Sequence, residues 1–448
     1  MDTTGKKRNE ESKSKSNLLQ ELLENENLSY NLPSAATVVV EKNSKIFFMD
    51  KTAYTSGDGE MVITLNSGSD FIDGMNSYLA FKVAVTGSAG TPTADFITWG
   101  DGSASNLFSE IVIRSRDGAE IERIRDLNSL MLTKCRWTNA QDFINNKASE
   151  SGYLPEYGSS DDGKTATVTG RDSGMYSKQE ITAQLLASGT TAGTNYVIPM
   201  RDLSALFNVE KLLPSFLMSG LRITFVLAPV VSAFHLEGAA AASDYTITEP
   251  ILRLETLKLS DSVMNQLTQN AANGGLVLPI DTWDLTRDTV TGTQANIEVR
   301  RNVSQVLGVV VKTRLTADVT EANADSLASA KEFKVAGYRF RLGSQFIPNS
   351  KVTKAVECYS LAQIAFNKYK QNSAENSVSL KDYLENGRAV IASDLERSAI
   401  DLSGVSISNS KVLAWEANYA VGTPRTVNVW IQFTRALTVF LTNTLVQD

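Results

Sequence analysis

The chain has 448 residues, of which 42% are hydrophobic and 21% charged, with 28 glycines and 10 prolines. These proportions allow buried cores over most of its length and exclude a disordered or fibrous chain, and the length fits two large domains better than one. A net charge of −7 excludes a surface built over its whole extent to coat nucleic acid, and two cysteines, Cys135 and Cys358, exclude a disulfide framework.

Met1–Ser16 mixes Lys6, Lys7, Arg8, Lys13 and Lys15 with Glu10 and Glu11 and carries almost nothing apolar, which reads as a flexible tail. No secretory signal is read there, and no run reaches the ~18 apolar residues of a membrane-spanning helix. In Asn17–Glu26 the residues Leu18, Leu19, Leu22 and Leu23 fall at helical spacing. So short an amphipathic helix needs a surface to lie on. Its own body or a neighbouring subunit is the plain reading, and an internal membrane or accessory protein the sharper one.

From Ser44 the pattern becomes that of strands: Lys45–Asp50, Glu60–Leu65 after the turn Gly57-Asp58-Gly59, and Ser77–Thr86. Phe108–Ile124 holds two more strands about Arg116-Asp117-Gly118. A helix follows, with Asp126 as its cap and Leu127, Leu130, Met131, Lys134 and Cys135 as its inward stripe. Residues 145–194 read as long polar excursions with strands at Thr165–Thr169 and Gln179–Leu186, and loops of that length carry contact or coverage roles. Leu221–Leu227 alternates strictly, which puts Leu221, Ile223, Phe225 and Leu227 on one face of a closing strand. A small-residue linker is expected at Gly238–Asp244, and Ile251–Leu257 is expected to open a second half.

That half repeats the order. Leu276–Thr282, Asn296–Arg301 and the β-branched Val306–Arg314 are strands. Tyr338–Leu342, the turn Gly343–Ser344 and Gln345–Ile347 then lead into a helix marked by Leu361, Ile364, Ala365, Lys368 and Tyr369. This matches the strand, turn, strand and helix of Ile111–Cys135. Thr426–Phe433 and Leu437–Leu441 read as a closing strand pair. The expected division is an N-terminal arm at 1–43, a first sandwich at 44–247 and a second at 248–448, an all-β chain with a short helix flanking each sandwich.

Catalytic chemistry finds little support. His235 has no second His within metal-ligand spacing, and both cysteines fall on predicted helices as small hydrophobes. There is no phosphate-binding glycine loop, no Gly-x-Gly-x-x-Gly and no Gly-x-Ser-x-Gly elbow. The carboxylate pairs Glu255/Asp261 and Asp281/Asp284 read as solvated loop acids rather than glycosidase acids. Gly57–Glu60 and Asp161–Asp162 lack the spacing of a full calcium loop. Asn302-Val303-Ser304 is a formal glycosylation triplet that means little without a secretory signal. No catalytic, cofactor-binding or metal-binding residue is assigned.

From Ser44 onward the chain resembles the double jelly-roll major capsid proteins of tailless icosahedral DNA viruses, the lineage of Polinton-like viruses, virophages and nucleocytoplasmic large DNA viruses. The segments that carry the likeness are Phe71–Val83, Ser105–Ile113, and Leu402–Trp415 followed by Val427–Leu441. The resemblance implies a homotrimeric, pseudo-hexagonal capsomer in a virion shell assembled inside the host cell. It also implies contacts with neighbouring capsomers and with penton and minor capsid proteins, an inner surface that faces either an internal membrane or accessory proteins, no sequence-specific nucleic acid, and no enzymatic role. The principal rival is a β-sandwich carbohydrate-binding or adhesion protein, a viral fibre or lectin, using Trp99, Trp137 or Trp283 to stack on sugars. A sandwich-scaffold glycosidase and a single jelly-roll capsid protein of a small RNA virus with a projecting domain are the others.

Overall fold

The computed structural model describes residues 39–66, 68–88, 96–99, 102–139, 148–152, 193–237, 241–320, 335–367, 378–385, 387–396, 404–408 and 411–448. The Asn17–Glu26 segment and the expected strands at Thr165–Thr169 and Gln179–Leu186 lie outside these residues.

Eight main strands, with the short Ala53–Thr55 added against the last of them, form the first sandwich: β1 (Val39–Phe48), β2 (Glu60–Thr64), β3 (Phe71–Ser88), β4 (Phe108–Arg114), β5 (Glu120–Arg125), β6 (Thr194–Pro199), β7 (Arg222–Leu227) and β8 (Ala241–Leu259). Helix α1 (Leu127–Thr138) follows β5. The strands pair antiparallel in two sheets, ordered β1-β8-β3-β6 and β2-β7-β4-β5. First meets last, second meets seventh, third meets sixth and fourth meets fifth. This is a long hairpin rolled so that its successive pairs fall alternately into two sheets, the winding of a jelly roll.

Helix α2 (Asp261–Asn273) leads to a second set. It comprises β9 (Leu276–Val290), β10 (Gln294–Val299), β11 (Val303–Leu315), β12 (Val335–Leu342), β13 (Gln345–Val352), α3 (Ala355–Asn367), α4 (Leu380–Glu385), β14 (Ile391–Asp394), β15 (Leu413–Tyr419) and β16 (Arg425–Val439). The sheets are β9-β16-β11-β14 and β10-β15-β12-β13. Subtracting eight from each label returns the first sandwich. The matched order read from the sequence is therefore a matched topology, and a flanking helix follows the fifth strand in both.

Within each sandwich, alternation sets the inward face. On β7, Ile223 and Phe225 are buried together with the flanking Leu221, while Arg222 is exposed. The Phe108 ring lies 5.8 Å from Phe81 and 5.1 Å from Phe225, tying the two sheets together. In the second sandwich Trp415 packs along a single sheet, 5.2 Å from Tyr338 and 5.3 Å from Phe340 of the neighbouring strand β12.

Several strand readings need correction. Ile251–Leu257 does not open the second half. It is the end of β8, paired with both β1 and β3 as far as Leu257, and so belongs to the first sandwich. Pro250, which cannot donate a ladder hydrogen bond, is accommodated within the strand at a register shift between Thr248 and Ile251, beside Glu249 at φ 53°. Likewise, Thr426–Phe433 and Leu437–Leu441 are not a pair: the first and most of the second form one strand, β16, whose ladder to β9 runs unbroken from Arg425 to Val439. Its hairpin partner is the short Thr444–Gln447. β1 starts at Val39, ahead of the expected Lys45, because its first residues are exposed and carry no alternation to read.

Candidate functional site, the seam between the sandwiches

Residues 425–431 of β16 are buried without interruption. Val427, Val429 and Ile431 face their own core, so the alternate positions Thr426, Asn428 and Trp430 must be covered by something else. The cover is the first sandwich. The β5–α1 corner lies over the sheet formed by β9, β16 and β11, and polar groups line the contact along its length.

At its centre is Asp126. The backbone there turns left-handed, at φ 53°, and the side chain makes no cap hydrogen bond to α1, so the expected capping role is not the one it fills. The turn instead aims the carboxylate at the second sandwich. There it meets Arg287 Nη2 at 2.7 Å and Arg314 Nη2 at 3.1 Å, and it accepts a hydrogen bond from Asn428 Nδ2. Arg287 Nε also donates to Asn428 Oδ1 at 2.9 Å, which closes the cluster. Burial acts to raise the Asp126 carboxyl, but the Arg314 and Arg287 guanidiniums outweigh it and hold it below the usual carboxylate range.

Flanking contacts continue the seam. Arg125 donates to Asp284 Oδ1 at 3.1 Å and to the Leu285 carbonyl at 2.8 Å, while its own carbonyl accepts from Trp430 Nε1 at 3.4 Å. Asp284 also binds Arg301 at 3.0 Å. Arg435 Nη1 donates to the Ile121 carbonyl at 2.6 Å, and its Nε to the carboxylate of the last residue, Asp448. Glu122, fully buried, accepts from Ser204 Oγ and from the Ala205 backbone N–H at 3.0 Å in its own sandwich, and from Thr282 Oγ1 at 2.8 Å in the other. Buried Lys312 donates to Thr133 on α1 at 3.3 Å.

The flanking helices complete the seam with aromatic rings. Trp137, at the end of α1, is 1% exposed; it stacks on Phe366 of α3 at 5.5 Å and meets Tyr359 of α3 and Tyr383 of α4 at 5.9 Å each. Both hydroxyls are satisfied, Tyr359 on the Val378 carbonyl and Tyr383 on that of Val390. Apolar packing and paired charge thus join two units into one body, and a single buried apolar cluster runs through both.

No protein-family model matches this sequence, and no curated protein matches it. Solved structures do. A chain of the Sputnik virophage cryo-EM structure superposes with a TM-score of 0.60 at 10% identity, covering 94% of this chain and 91% of that one. The PBCV-1 virus capsid gives 0.57 at 11% identity, with 94% and 98% covered. The Faustovirus major capsid protein gives 0.52 at 7% identity, with 92% of each covered. The fold is that of the double jelly-roll capsid proteins.

In this double jelly roll the residues weighed for other chemistry are placed elsewhere. Trp99 is buried and stacked on Phe234 at 4.9 Å, Trp137 belongs to the seam, and Trp283 is 8% exposed, so none offers a face for a sugar. Asp284 pairs with arginines, Asp281 accepts from Thr434 at 2.7 Å, and Glu255 pairs with Lys42 at 3.5 Å. Asp58 of the glycine turn is engaged by Lys51 and the Thr55 backbone. Cys135 and Cys358 are buried and form no disulfide, and burial pushes the Cys358 thiol up to about 12. The backbone of His235 pairs with Thr98 in a short ribbon. Among the described residues no cluster of three His, Cys, Asp or Glu could hold a metal ion. Sequence reasoning missed the seam, and its one legible sign was Trp430 on the polar side of an alternating strand.

Proposed function

We propose that this protein is a major capsid protein whose trimers form pseudo-hexagonal capsomers of an icosahedral virion shell. The observation that carries the reading is the seam: two jelly rolls of identical strand order, locked by buried charge and stacked rings into one rigid block. A tile needs that rigidity. Three such blocks would present six similar sandwiches, a near-hexagonal outline from a three-fold assembly, and many modest lateral contacts would then sum over a closed shell. The coverage of more than nine-tenths of both chains in the Sputnik and PBCV-1 comparisons supports the same reading.

In this reading the first unit spans 39–259 and the second 276–448, with α2 as the joint, in place of a boundary at 247. Neighbouring capsomers, penton and minor capsid proteins and an internal membrane are the partners, the site of action is the virion, assembled inside the host cell, and no residue has a catalytic role. The test is the solution mass and negative-stain image of the purified chain. A particle of about three times 48.7 kDa with a hexagonal outline is expected. A stable monomer that binds glycans would overturn the proposal in favour of an adhesion protein.

A further inference from the structure

Helix α2 is amphipathic, with Val263, Met264, Leu267 and Ala271 on one face, yet only Ala271 is fully buried. Beneath it lies an open groove of about 680 Å³, walled by Phe71, Leu259, Val263, Leu267 and Val277. Val277 is 61% exposed there, a large apolar side chain turned to solvent at the groove wall. The position of the groove relative to the chain start is informative. β1 begins at Val39, which pairs with Leu259 of the groove wall, so the described chain starts beside the groove.

We propose that the leucine-rich stretch Asn17–Glu26 of the same chain docks in this groove as a helix. Its apolar face, Leu18, Leu19, Leu22 and Leu23, has the chemistry the groove lacks, and ten residues in a helix span about 15 Å. The 12 residues between Glu26 and Val39 reach at most about 40 Å, which is ample for a return to a site beside Val39. Charge agrees with the fit. Lys211 is exposed on the groove lining, and the polar face of the stretch offers Glu21 and Glu24. Helix and groove complete each other: a ten-residue helix is not stable alone, and α2 gains cover for its half-exposed stripe.

The test is disulfide trapping in the full-length protein. Leu22→Cys combined with Leu267→Cys is expected to oxidise within one chain in most molecules, seen as a mobility shift without a change of mass on a denaturing gel. Leu22→Cys with Val421→Cys, near the far end of β16, is expected to give none. The native thiols are both buried and leave a low background. Failure of the first pair to close overturns the proposal. So does closure only as linked chain dimers, which would assign the groove to a neighbouring copy's arm. As a second reading, Leu19→Glu with Leu22→Glu lies outside both sandwiches and is expected to speed amide exchange in α2 about tenfold. Unchanged exchange, with loss of flotation on anionic lipid vesicles instead, would assign the stretch to a membrane surface and overturn docking.

Discussion

The two jelly rolls differ most at the corner they share by topology. After the fifth strand of the first, Arg125 and Asp126 turn out of their sandwich, left-handed at Asp126, and enter a cluster of Arg287, Arg314 and Asn428. At the same corner of the second, β13 enters α3 through exposed Thr353 and Lys354, and the Lys354 carbonyl simply accepts the first helical N–H, from Cys358. One winding therefore serves two purposes. The strand order needs only a turn into a helix there, and the residues that fill the turn decide whether the corner joins a partner or faces water.

The largest effect expected from breaking this asymmetry is at Trp137. Trp137→Ala would open a cavity between helices of different sandwiches and cost about 3–5 kcal/mol. Because the loss falls on the joint, denaturant unfolding should split into two transitions. Trp415→Ala, inside the second sandwich, should weaken that unit without separating the first. A single transition in Trp137→Ala at the wild-type midpoint would show that the rings do not couple the units.

Asp126→Ala comes next. It leaves the buried Arg314 and Asn428, and the half-exposed Arg287, without their carboxylate, a change of about 3 kcal/mol. Lys354→Ala at the matching corner should change stability by no more than about 0.5 kcal/mol, because it removes only an exposed side chain. Equal losses at the two corners, measured by denaturant midpoint, would erase the distinction. The same carboxylate gives the seam a pH dependence. Its native pKa is depressed, so its contribution is complete above the unfolded value of about 3.9 and is lost as pH falls through the lower native one. Asp448, held down in the same sense by Arg435 and Arg301 against its own burial, adds to that slope. Asp126→Asn should therefore flatten the stability profile below about pH 4 while leaving its shape above neutrality unchanged.

Much of the sandwich interior was legible because alternation reports burial on one face. Leu221 to Leu227, the hairpin at Gly118 and the helix beginning at Leu127 all follow from periodicity and turn chemistry. The seam was not legible, for the same physical reason. Where both faces of a strand are covered, as in β11 and β16, inward and outward positions are equally buried, and nothing in Thr426 or Asn428 names the strand that covers them. Asp126 carries an ordinary capping pattern, and its partners Arg287, Arg314 and Asn428 stand 161, 188 and 302 residues away in sequence. The small residues at Gly238–Asp244 hid the length of β8, since such a run ordinarily marks a linker, whereas Ala241, Ala242 and Asp244 already pair with β3.

The smallest effect is the most discriminating. Glu122 accepts from three donors of its own sandwich, Ser204 Oγ and the N–H groups of Ala205 and Leu206, and from one donor of the other, Thr282 Oγ1. Thr282→Val keeps the shape and removes only the crossing bond, so the loss should be about 0.5–1.5 kcal/mol, the net range for an intramolecular hydrogen bond. Ser204→Ala removes a bond of similar chemistry inside one unit. If the seam sets the cooperativity of the whole chain, Thr282→Val should lower the denaturant slope as well as the midpoint, whereas Ser204→Ala should move the midpoint alone. A double-mutant cycle of Glu122→Gln with Thr282→Val separates the crossing bond from the burial of the carboxylate. A coupling energy indistinguishable from zero would mean that Glu122 organises only the first sandwich.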